Sequence, residues 1–357
     1  MKILWNGPVF NATGIATSAR EIVKALIKRG HQVQVTDPYN SIYDFSKGLE
    51  TVNNPIDIKD LDCSFVYDYP QFWRPMPGKK TIYHFLHEGT KIWPEWANII
   101  NRSRGEFTVP TKAIKNLFTW NGIAKPISII PYGVSEMYKP AETKEDLEEF
   151  VFLSVNSWTG NEGDRKGTDL LIKAFDQEFK DDEKVKLLLK ISTFWDSKQP
   201  EYYAQQIVNI TGRANPNIMF DSNYRAEEKL VDYYQKADCF VAPTRGEGFG
   251  LTILNALACG LPVIVTKDNN SGHMDFCKDN PSVLWVDVEK MKQADPNFYV
   301  EGNLLAEPNL ETLRKQLRYA FENRKNINTK LGSEMARQWT WEKSAIKIEE
   351  LINGGNS

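Results

Sequence analysis

The sequence predicts an α/β protein with two domains, each built around a mostly parallel β-sheet. Three observations support this prediction. The chain has 357 residues, and at about 150 residues per domain this length allows two domains. Short β-branched or aromatic runs alternate with longer amphipathic stretches in both halves, an order typical of parallel strands joined by helices. Residues 133–149 interrupt the alternation with Gly, Pro and an acidic run, which indicates a linker.

In the first half, the clearest helix is predicted at 15–29, because the apolar residues from Ile15 to Ile27 share one face and Gly30 ends the pattern. A second helix is predicted at 112–119. The strands predicted for this half are 2–5, 33–36, 64–67, 81–86, 106–109 and 127–130.

In the second half, strands and helices again alternate after the linker. The predicted strands are 150–155, 185–191, 218–220, 239–242 and 262–266. The predicted helices are 166–179, 202–210, 227–236 and 250–258, followed by three near 309–323, 328–338 and 341–352.

Composition excludes several classes of protein. The hydrophobic (41%), charged (25%) and aromatic (12%) fractions are those of a globular protein and not of a disordered chain. No apolar run approaches the roughly 18 residues of a membrane-spanning helix, and the chain begins directly with a predicted strand. We therefore expect a cytoplasmic protein, with a weak peripheral contact at the inner membrane face left open. The four cysteines lack C-x-x-C spacing, which favours buried thiols over a metal site.

Charge is unevenly distributed along the chain. Residues 1–140 contain 17 Lys and Arg against 12 Asp and Glu, whereas the rest contains 27 against 35. The basic excess fits an anionic acceptor or an anionic membrane surface, and it equally fits compositional scatter. The single Asp-x-Asp, 60–62, is interpreted as a solvated charge pair, so no metal site is expected.

The most informative segment runs from Ala242 to Val265, a predicted strand, loop, helix and strand. Its closely spaced glycines allow the backbone to turn sharply and approach a ligand. The helix that starts near Gly250 offers unpaired N–H groups and the positive end of its dipole to a phosphate. Glu247 lies beside this helix start, and its carboxylate would repel a phosphate but would accept hydrogen bonds from a neutral polyol. A nucleotide sugar contains both a phosphate part and a polyol part. The alternative is a set of turn glycines with a carboxylate that favours the helix dipole.

This segment resembles the signature of retaining GT-B glycosyltransferases of family four (glycosyl transferases group 1). That signature has Glu-Gly-Phe-Gly, a second Glu eight residues after the first, and then Ala-Met-Ala-x-Gly-x-Pro-Val-Ile. This chain has Glu247-Gly-Phe-Gly250 and then Asn255-Ala-Leu-Ala-Cys-Gly-Leu-Pro-Val-Ile264. Further stretches resemble the same family, namely 11–15, 129–134, 166–175 and 230–238. The resemblance is weakest in 38–62 and 266–305.

The resemblance implies a GT-B fold, in which two Rossmann-like parallel-sheet domains face a central cleft. The first domain, 1–140, would lie on the acceptor side. The second, 141–340, would bind the nucleotide sugar, and 341–357 would form a helix that packs back on the first domain.

The resemblance also assigns roles to individual residues. Glu247 would contact hydroxyls of the donor sugar, Lys166 would neutralise the diphosphate, and His87 would orient the sugar near its anomeric carbon. The donor phosphates would meet two backbone loops, one at Gly14 and one formed by Gly248, Phe249, Gly250 and Leu251. His84 is expected to be packed in the core, and His273 is an uncertain pocket residue because the Gly-Gly-x-x-Glu segment of the family is altered here.

Two departures from the family pattern affect the donor site. Asn255 replaces the glutamate that grips the ribose, which removes a charge-assisted contribution of roughly 1 kcal/mol. The arginine that usually follows the first strand of the second domain is missing. Arg165 or Arg245 would supply that charge, and a solvated surface role for Arg165 is an equal alternative.

The implied activity is transfer of a hexosyl unit, with retention, from a nucleotide-diphosphate sugar to an acceptor hydroxyl in polysaccharide biosynthesis. The acceptor would be a glycan, a lipid-linked molecule or a protein. The enzyme would need no metal and no other cofactor, and it would have no nucleic-acid partner. The alternatives are a non-catalytic GT-B-like subunit that supports a partner glycosyltransferase and a nucleotide-sugar epimerase on the same fold. A dehydrogenase is disfavoured because no G-x-G-x-x-G follows the first strand. Three aromatics could line an acceptor groove, but core positions are preferred for them: Trp93, Trp96 and Trp120.

Overall fold

The protein is seen in a computed structural model that describes residues 1–39, 45–143, 148–158, 164–192 and 198–354. The chain forms two compact units. The first comprises Met1–Ser135, Asp295–Asn303 and Trp339–Ser357, and the second comprises Glu136–Ala294 and Leu304–Gln338. Each unit contains a six-stranded parallel sheet, which confirms the predicted α/β class.

The regular elements follow one another in the alternating order that the sequence predicts. The strands are β1 (Lys2–Asn6), β2 (Gln32–Thr36), β3 (Cys63–Tyr67), β4 (Lys80–His84), β5 (Glu106–Val109), β6 (Ile127–Ile129), β7 (Phe150–Asn156), β8 (Val185–Ile191), β9 (Ile218–Asp221), β10 (Cys239–Ala242), β11 (Val263–Thr266), β12 (Val283–Val286), β13 (Val288–Gln293) and β14 (Leu304–Pro308). The helices are α1 (Gly14–Lys28), α2 (Pro94–Arg102), α3 (Lys112–Trp120), α4 (Thr168–Glu178), α5 (Pro200–Thr211), α6 (Glu227–Lys236), α7 (Leu251–Ala258), α8 (Met274–Cys277), α9 (Leu310–Asn323), α10 (Thr329–Ala336) and α11 (Trp341–Ile352).

The first unit has strand order β2-β1-β3-β4-β5-β6, with all neighbours parallel. Every residue of β3 is buried, as expected of a central strand covered on both faces. Trp5 of β1 is in register with Phe65 of β3, and their rings stack at 4.3 Å. Thr13 caps α1 by accepting a hydrogen bond from Ala16 N at 3.1 Å, which satisfies a backbone donor that the first turn leaves unpaired.

The second unit has strand order β12-β11-β10-β7-β8-β9, again parallel, and β13 pairs with β14 in an antiparallel ladder. Strands β10 and β11 are almost entirely apolar and buried, the pattern of a parallel sheet with both faces covered. Phe152, Phe175 and Phe179 belong to the same buried cluster, with ring centroids 5.1–6.3 Å apart. This core fixes the strand ends from which the site loops emerge.

The unit boundaries differ from the predicted domain limits. The segment Asp295–Asn303 belongs to the first unit, although 141–340 was expected to be one domain. The Asn303 side chain accepts hydrogen bonds from Thr90 N at 2.7 Å and Lys91 N at 2.9 Å and donates to Glu88 O at 3.1 Å. One amide thus satisfies three backbone groups more than 200 residues away, and no local pattern could reveal this.

Some elements and burial states also differ from expectation. Strand β4 ends at His84 and not at 86, and helix α2, helix α8 and strands β12–β14 had no predicted counterpart. Trp96 is in the core and Trp93 packs against it, but Trp120 is 72% exposed, so the core prediction was wrong for Trp120. All four cysteines are buried thiols, as predicted.

Two further properties of the described residues concern membranes and metal ions. None of their helices is long and apolar enough to cross a membrane. They contain no group of three His, Cys, Asp or Glu side chains placed to hold a metal ion. Asp60 and Asp62 pair with Lys2 and Lys79, in keeping with a solvated charge pair.

Candidate functional site

Three loops meet at the carboxyl edge of the second sheet. They follow β7, β10 and β11, and parallel strands bring such loops to one edge. Arg245 N donates to Arg165 O at 2.7 Å, which joins the first two loops. Gly272 N donates to Glu247 O at 2.7 Å, which joins the second to the third. Backbone hydrogen bonds therefore hold Lys166, Glu247 and His273 in one neighbourhood.

Lys166 and Glu247 form a direct ion pair in this neighbourhood. Lys166 Nζ lies 2.7 Å from Glu247 Oε1, and the Glu247 side chain is buried. Burial acts to raise the pKa of the Glu247 carboxyl, but the charges of Lys166 and Arg165 outweigh it and hold that pKa below its usual value. Glu247 is therefore a carboxylate at neutral pH and accepts hydrogen bonds only.

The two candidate arginines have different surroundings. Arg165 donates to Gly246 O at 2.6 Å and lies 3.9 Å from Glu247 Oε2. Arg245, only 4% exposed, is clamped between two other carboxylates: it bonds Glu307 twice at 2.8 Å and Asp169 at 2.9 and 3.2 Å. Burial lowers the pKa of Arg245, but these hydrogen bonds raise it more. Arg245 is thus a paired structural cation.

Asp164 shapes the loop that carries Lys166. Its carboxylate accepts from Lys166 N at 2.7 Å and from Thr168 N at 3.1 Å, where α4 begins. Burial, reinforced by Asp169, raises the pKa of Asp164 to about 6. Gly167 between these residues has φ +70°, and a Cβ there would lie 2.0 Å from Pro243 O. Only glycine fits this close approach.

The glycine loop 246–250 leads into α7 without a capping side chain. Gly250, at φ +96°, occupies the position before Leu251, so the first turn of α7 offers unpaired backbone N–H groups. Phe249 is buried, with its ring 5.3 Å from that of Phe276, which anchors the loop. Gly248 O lies 2.1 Å from the position of a Cβ on Gly272. These contacts define the path of the loop backbone.

Asn255 lies one turn further along α7. It is partly buried and close to the Tyr234 hydroxyl, whose pKa is raised well above its ordinary value by burial, while Asn255 opposes that shift. A glutamate here would place a charge beside a buried phenol, whereas the neutral amide adds none.

His273, from the third loop, is completely buried. Its Nε2 lies 2.8 Å from Thr266 O. Burial lowers the pKa of His273, although the Thr266 carbonyl and the charge of Glu247 act in the opposite direction. Next to it, Ser271 accepts from Glu247 N at 3.2 Å and donates to Asp268 at 2.7 Å, which fixes the Glu247 backbone.

In the first unit, His84 belongs to a buried hydrogen-bond chain, which confirms that it is a packed histidine. Thr108 Oγ1 donates to Tyr83 O, so it must accept from His84 Nδ1 at 2.9 Å. His84 Nε2 then accepts from Tyr132 at 2.7 Å, and Tyr132 accepts from Tyr67. Burial lowers the pKa of His84 to about 3.

His87 and Gly14 also lie in the first unit. His87 is buried beyond the end of β4, with its ring 5.1 Å from Trp96 and 5.4 Å from Tyr299. Tyr299 belongs to the 295–303 segment, so sequence patterns could not anticipate this neighbour. Gly14 begins α1 directly after the Thr13 cap.

Several residues that build the site in the second unit are not among those predicted from the sequence. Asp164 was not singled out, although it directly precedes Arg165 and Lys166 and an Asp before a helix start is a capping signal. Asp169 and Glu307, which neutralise Arg245, carry no local signal, and Glu307 lies in a strand that was not predicted.

The fold and site together define a class of protein. The chain aligns along its whole length with a glycosyltransferase from Rickettsia africae, with TM-score 0.75, 15% identity and 99% of that chain covered. It aligns over 99% of its length with all of the Anabaena HepE chain solved with UDP and glucose, with TM-score 0.74 and 16% identity. The fold is therefore GT-B.

The family follows from a sequence match. Residues 139–338 match the family described as glycosyl transferases group 1, so the chain belongs to this family of glycosyltransferases. A putative glycosyltransferase of a Sulfolobus islandicus filamentous virus is 22% identical over 269 residues, which are 72% of this chain and 68% of the viral protein.

Proposed function

We propose that the protein transfers a hexosyl unit from a nucleotide-diphosphate sugar to an acceptor hydroxyl, with retention at the anomeric carbon and without a metal ion. The observation that carries this proposal is the Lys166–Glu247 pair beside the uncapped start of α7. A cation and unpaired N–H groups suit a diphosphate, and a carboxylate that accepts hydrogen bonds from hydroxyl groups suits the sugar joined to it.

In the proposed step, the bond between the anomeric carbon and the diphosphate oxygen breaks as the acceptor oxygen bonds to the same face of that carbon. The acceptor proton moves to the leaving diphosphate, so the products are a glycoside and a nucleoside diphosphate. The main catalytic contribution is preorganised positive charge at the leaving group. Lys166, Arg165 and the α7 N-terminus supply it.

The contacts favour Arg165 over Arg245 as the second cation. Arg245 already shares its guanidinium between Asp169 and Glu307, and moving it to a diphosphate would take this cation away from two carboxylates that are only 12% and 14% exposed. Arg165 is about one-quarter exposed and lies beside Glu247. Lys166 Nζ has three donor positions, so it can keep Glu247 and still bind a phosphate oxygen.

Other parts of the proposal rest on the family resemblance. His87 would orient the sugar, and backbone N–H groups near Gly14, Gly248 and Leu251 would meet the phosphates. The acceptor would be a hydroxyl of a glycan, a lipid-linked saccharide or a protein. If the excess of basic residues in 1–140 binds an anionic membrane surface, the acceptor would be met at the cytoplasmic face of the membrane. Because HepE is similar to this chain and was solved with UDP and glucose, UDP-sugars are the first donors to try.

The first experiment is a thermal-shift screen without added metal against UDP, GDP, ADP, CMP, dTDP and their common sugar conjugates. A ligand that binds only the folded protein raises the melting temperature. We expect one nucleotide to do so, and Lys166→Ala to abolish the shift. Lys186→Ala is the matched control, because Lys166 and Lys186 are both 20% exposed and both ion-paired. A shift unaffected by Lys166→Ala, or no shift with any compound, would contradict the proposal.

The second experiment follows the anomeric configuration. With the donor selected by the screen, proton NMR of the product distinguishes an axial from an equatorial glycoside, and we expect the donor configuration to be kept. An inverted product would overturn the retaining mechanism. Full activity in EDTA is expected, and activity restored only by Mg²⁺ or Mn²⁺ would overturn the metal-independent part.

A further inference from the structure

His273 has one ring nitrogen whose partner is missing from the described part of the chain. Nε2 faces Thr266 O at 2.8 Å. Nδ1 is fully buried, and no described residue is within hydrogen-bonding distance and geometry of it. Buried polar atoms nearly always have a partner, and leaving one unsatisfied is costly. The Nδ1 atom therefore calls for a partner that is not part of the described protein.

The contact to Thr266 fixes what kind of partner Nδ1 can take. A carbonyl oxygen only accepts, so Nε2 must carry the proton and donate it. Burial lowers the pKa of His273, so the ring is neutral, and Nδ1 is left with its lone pair. The missing partner is accordingly a hydrogen-bond donor. A phosphate group that is fully ionised has no proton to offer, whereas a hydroxyl has one.

The position of His273 shows which site that donor would occupy. The charges of Glu247 and Lys166 both act on the ring, and a Cβ on Gly250 would lie 3.1 Å from His273 Cβ. His273 therefore adjoins the ion pair and the start of α7. Glu247 is also an acceptor, and two acceptors in the same neighbourhood are suited to the hydroxyl-bearing part of a ligand rather than to its phosphates.

We infer that His273 Nδ1 accepts a hydrogen bond from a hydroxyl of the hexosyl group in the donor, and so contributes to selection of the sugar. This inference rests on the proposed function and adds a side chain that reads the sugar beside Glu247. A site built to bond a hydroxyl rejects analogues that lack it, because its buried acceptor is then left unpaired. One such contact is worth about 10- to 100-fold in kcat/KM.

Two substitutions separate ligand binding from a structural role. In His273→Asn the amide group is near the position of Nδ1, so an acceptor remains, but the donor to Thr266 is lost. In His273→Gln the amide group reaches the position of Nε2, so the bond to Thr266 can be kept, but the Nδ1 acceptor is lost. A ligand role and a purely structural role therefore predict opposite orders of activity.

We expect His273→Gln to keep the wild-type melting temperature and to lose about 10- to 100-fold in kcat/KM for the donor. The kcat/KM of His273→Asn should be about ten times that of His273→Gln, although His273→Asn should be the less stable of the two. The deoxy analogue of the donor that lacks the hydroxyl bonded to Nδ1 should be a poor substrate for the wild type. Its kcat/KM should fall little further in His273→Gln. Wild-type kinetics in His273→Gln, or activity that follows stability in both variants, would overturn the inference.

A direct readout is the nitrogen-15 NMR signal of Nδ1. The chain has four histidines, so comparison with His273→Gln assigns the signal in protein labelled with ¹⁵N-histidine. We expect UDP-glucose, or the nucleotide sugar selected by the screen, to shift the Nδ1 signal in the direction of a hydrogen-bonded acceptor, and the nucleoside diphosphate alone to leave it in place. Binding of the nucleotide sugar without a change at Nδ1 would overturn this inference alone. No binding of either compound would overturn the proposed function as well.

Discussion

Lys166 Nζ lies 2.7 Å from Glu247 Oε1 although 81 residues separate the two in sequence. The Glu247 side chain is 9% exposed and that of Lys166 20%, so the pair is shielded from water and its charges interact strongly. The pair ties the loop after β7 to the loop after β10. Stability and proposed activity should therefore respond differently when one partner or both are removed.

A double substitution tests this coupling. In the described part of the chain, Lys166→Met leaves the more distant Arg165 as the ion-pair partner of Glu247, and removing one partner of a shielded pair costs more than removing both. We expect Lys166→Met to be less stable in urea than Lys166→Met/Glu247→Gln by about 1–2 kcal/mol. Transfer should fall at least about a hundredfold in both variants, through loss of a transition-state contact. A double variant that is no more stable than Lys166→Met would show that the pair is not coupled.

The Arg245 cluster should contribute to stability rather than to ligand binding. Arg245→Met removes a buried cation from Asp169 and Glu307, whose side chains are only 12% and 14% exposed, so we expect a loss of about 3–5 kcal/mol in urea unfolding. Arg245→Lys should recover only part of it, because an ammonium cannot bond both carboxylates in bidentate fashion.

Arg213 provides the matched control for this prediction. It also pairs with two carboxylates, Asp176 and Asp181, but it is 39% exposed. Arg213→Met should cost much less stability than Arg245→Met, because an exposed ion pair contributes little. Equal losses for the two arginines would contradict the structural role of Arg245.

Two glycines have nearly equal φ angles, so substituting each one separates the cost of backbone strain from the cost of steric crowding. Gly167 has φ +70° and Gly212 has φ +75°, but a Cβ on Gly167 would lie 2.0 Å from Pro243 O, whereas no atom of the described residues lies within 4 Å of one on Gly212. Gly212→Ala should cost roughly 1–2 kcal/mol from backbone strain. Gly167→Ala should cost more and also weaken nucleotide binding, because Lys166 must move. Equal melting temperatures would refute the close approach.

His84 should make the protein sensitive to mild acid. Its pKa is lowered to about 3 in the folded state from 6.5, so the unfolded chain binds a proton that the folded one does not. Stability is then retained above pH 6.5 and falls by about 1.4 kcal/mol per pH unit below it, until the pH reaches about 3.

His84→Gln tests this pH dependence. The substitution should lower stability at pH 7.5, because the chain to Tyr132 and Thr108 is disturbed, yet it should flatten the decline between pH 6.5 and 5. Other groups that titrate in this range, such as Asp164 with its pKa of about 6, are present in both proteins, so the difference between the two curves isolates His84. Parallel curves for the two proteins would show that His84 is not buried as a neutral ring.

Local patterns predicted most regular elements within a few residues. Helix α6 and strand β8 have the predicted bounds, and α1 begins and ends one residue early. In these elements the apolar residues recur at regular spacing along the whole length, and clear start and stop residues mark the ends. Strand β13 escaped prediction because its residues are almost all exposed, so no alternation marks it. Strands β12 and β14 are short, with four and five residues, and show no alternation of buried and exposed positions either. Strand β4 was predicted too long because its apolar run continues past the last ladder hydrogen bond.

The sequence by itself determined the α/β class and the GT-B resemblance, and it predicted roles for Glu247 and Lys166, because each of these depends on a short run of neighbouring residues. Only the tertiary structure decided which arginine is held in a cluster with two carboxylates, that 295–303 belongs to the first unit, and that one ring nitrogen of His273 has no partner among the described residues. Each of these depends on partners brought together by folding: Glu307 for Arg245, Asn303 for Thr90, and the Thr266 carbonyl for His273. Hydrogen bonds and ion pairs depend on distances of about 3 Å between specific atoms, and a linear pattern does not contain those distances.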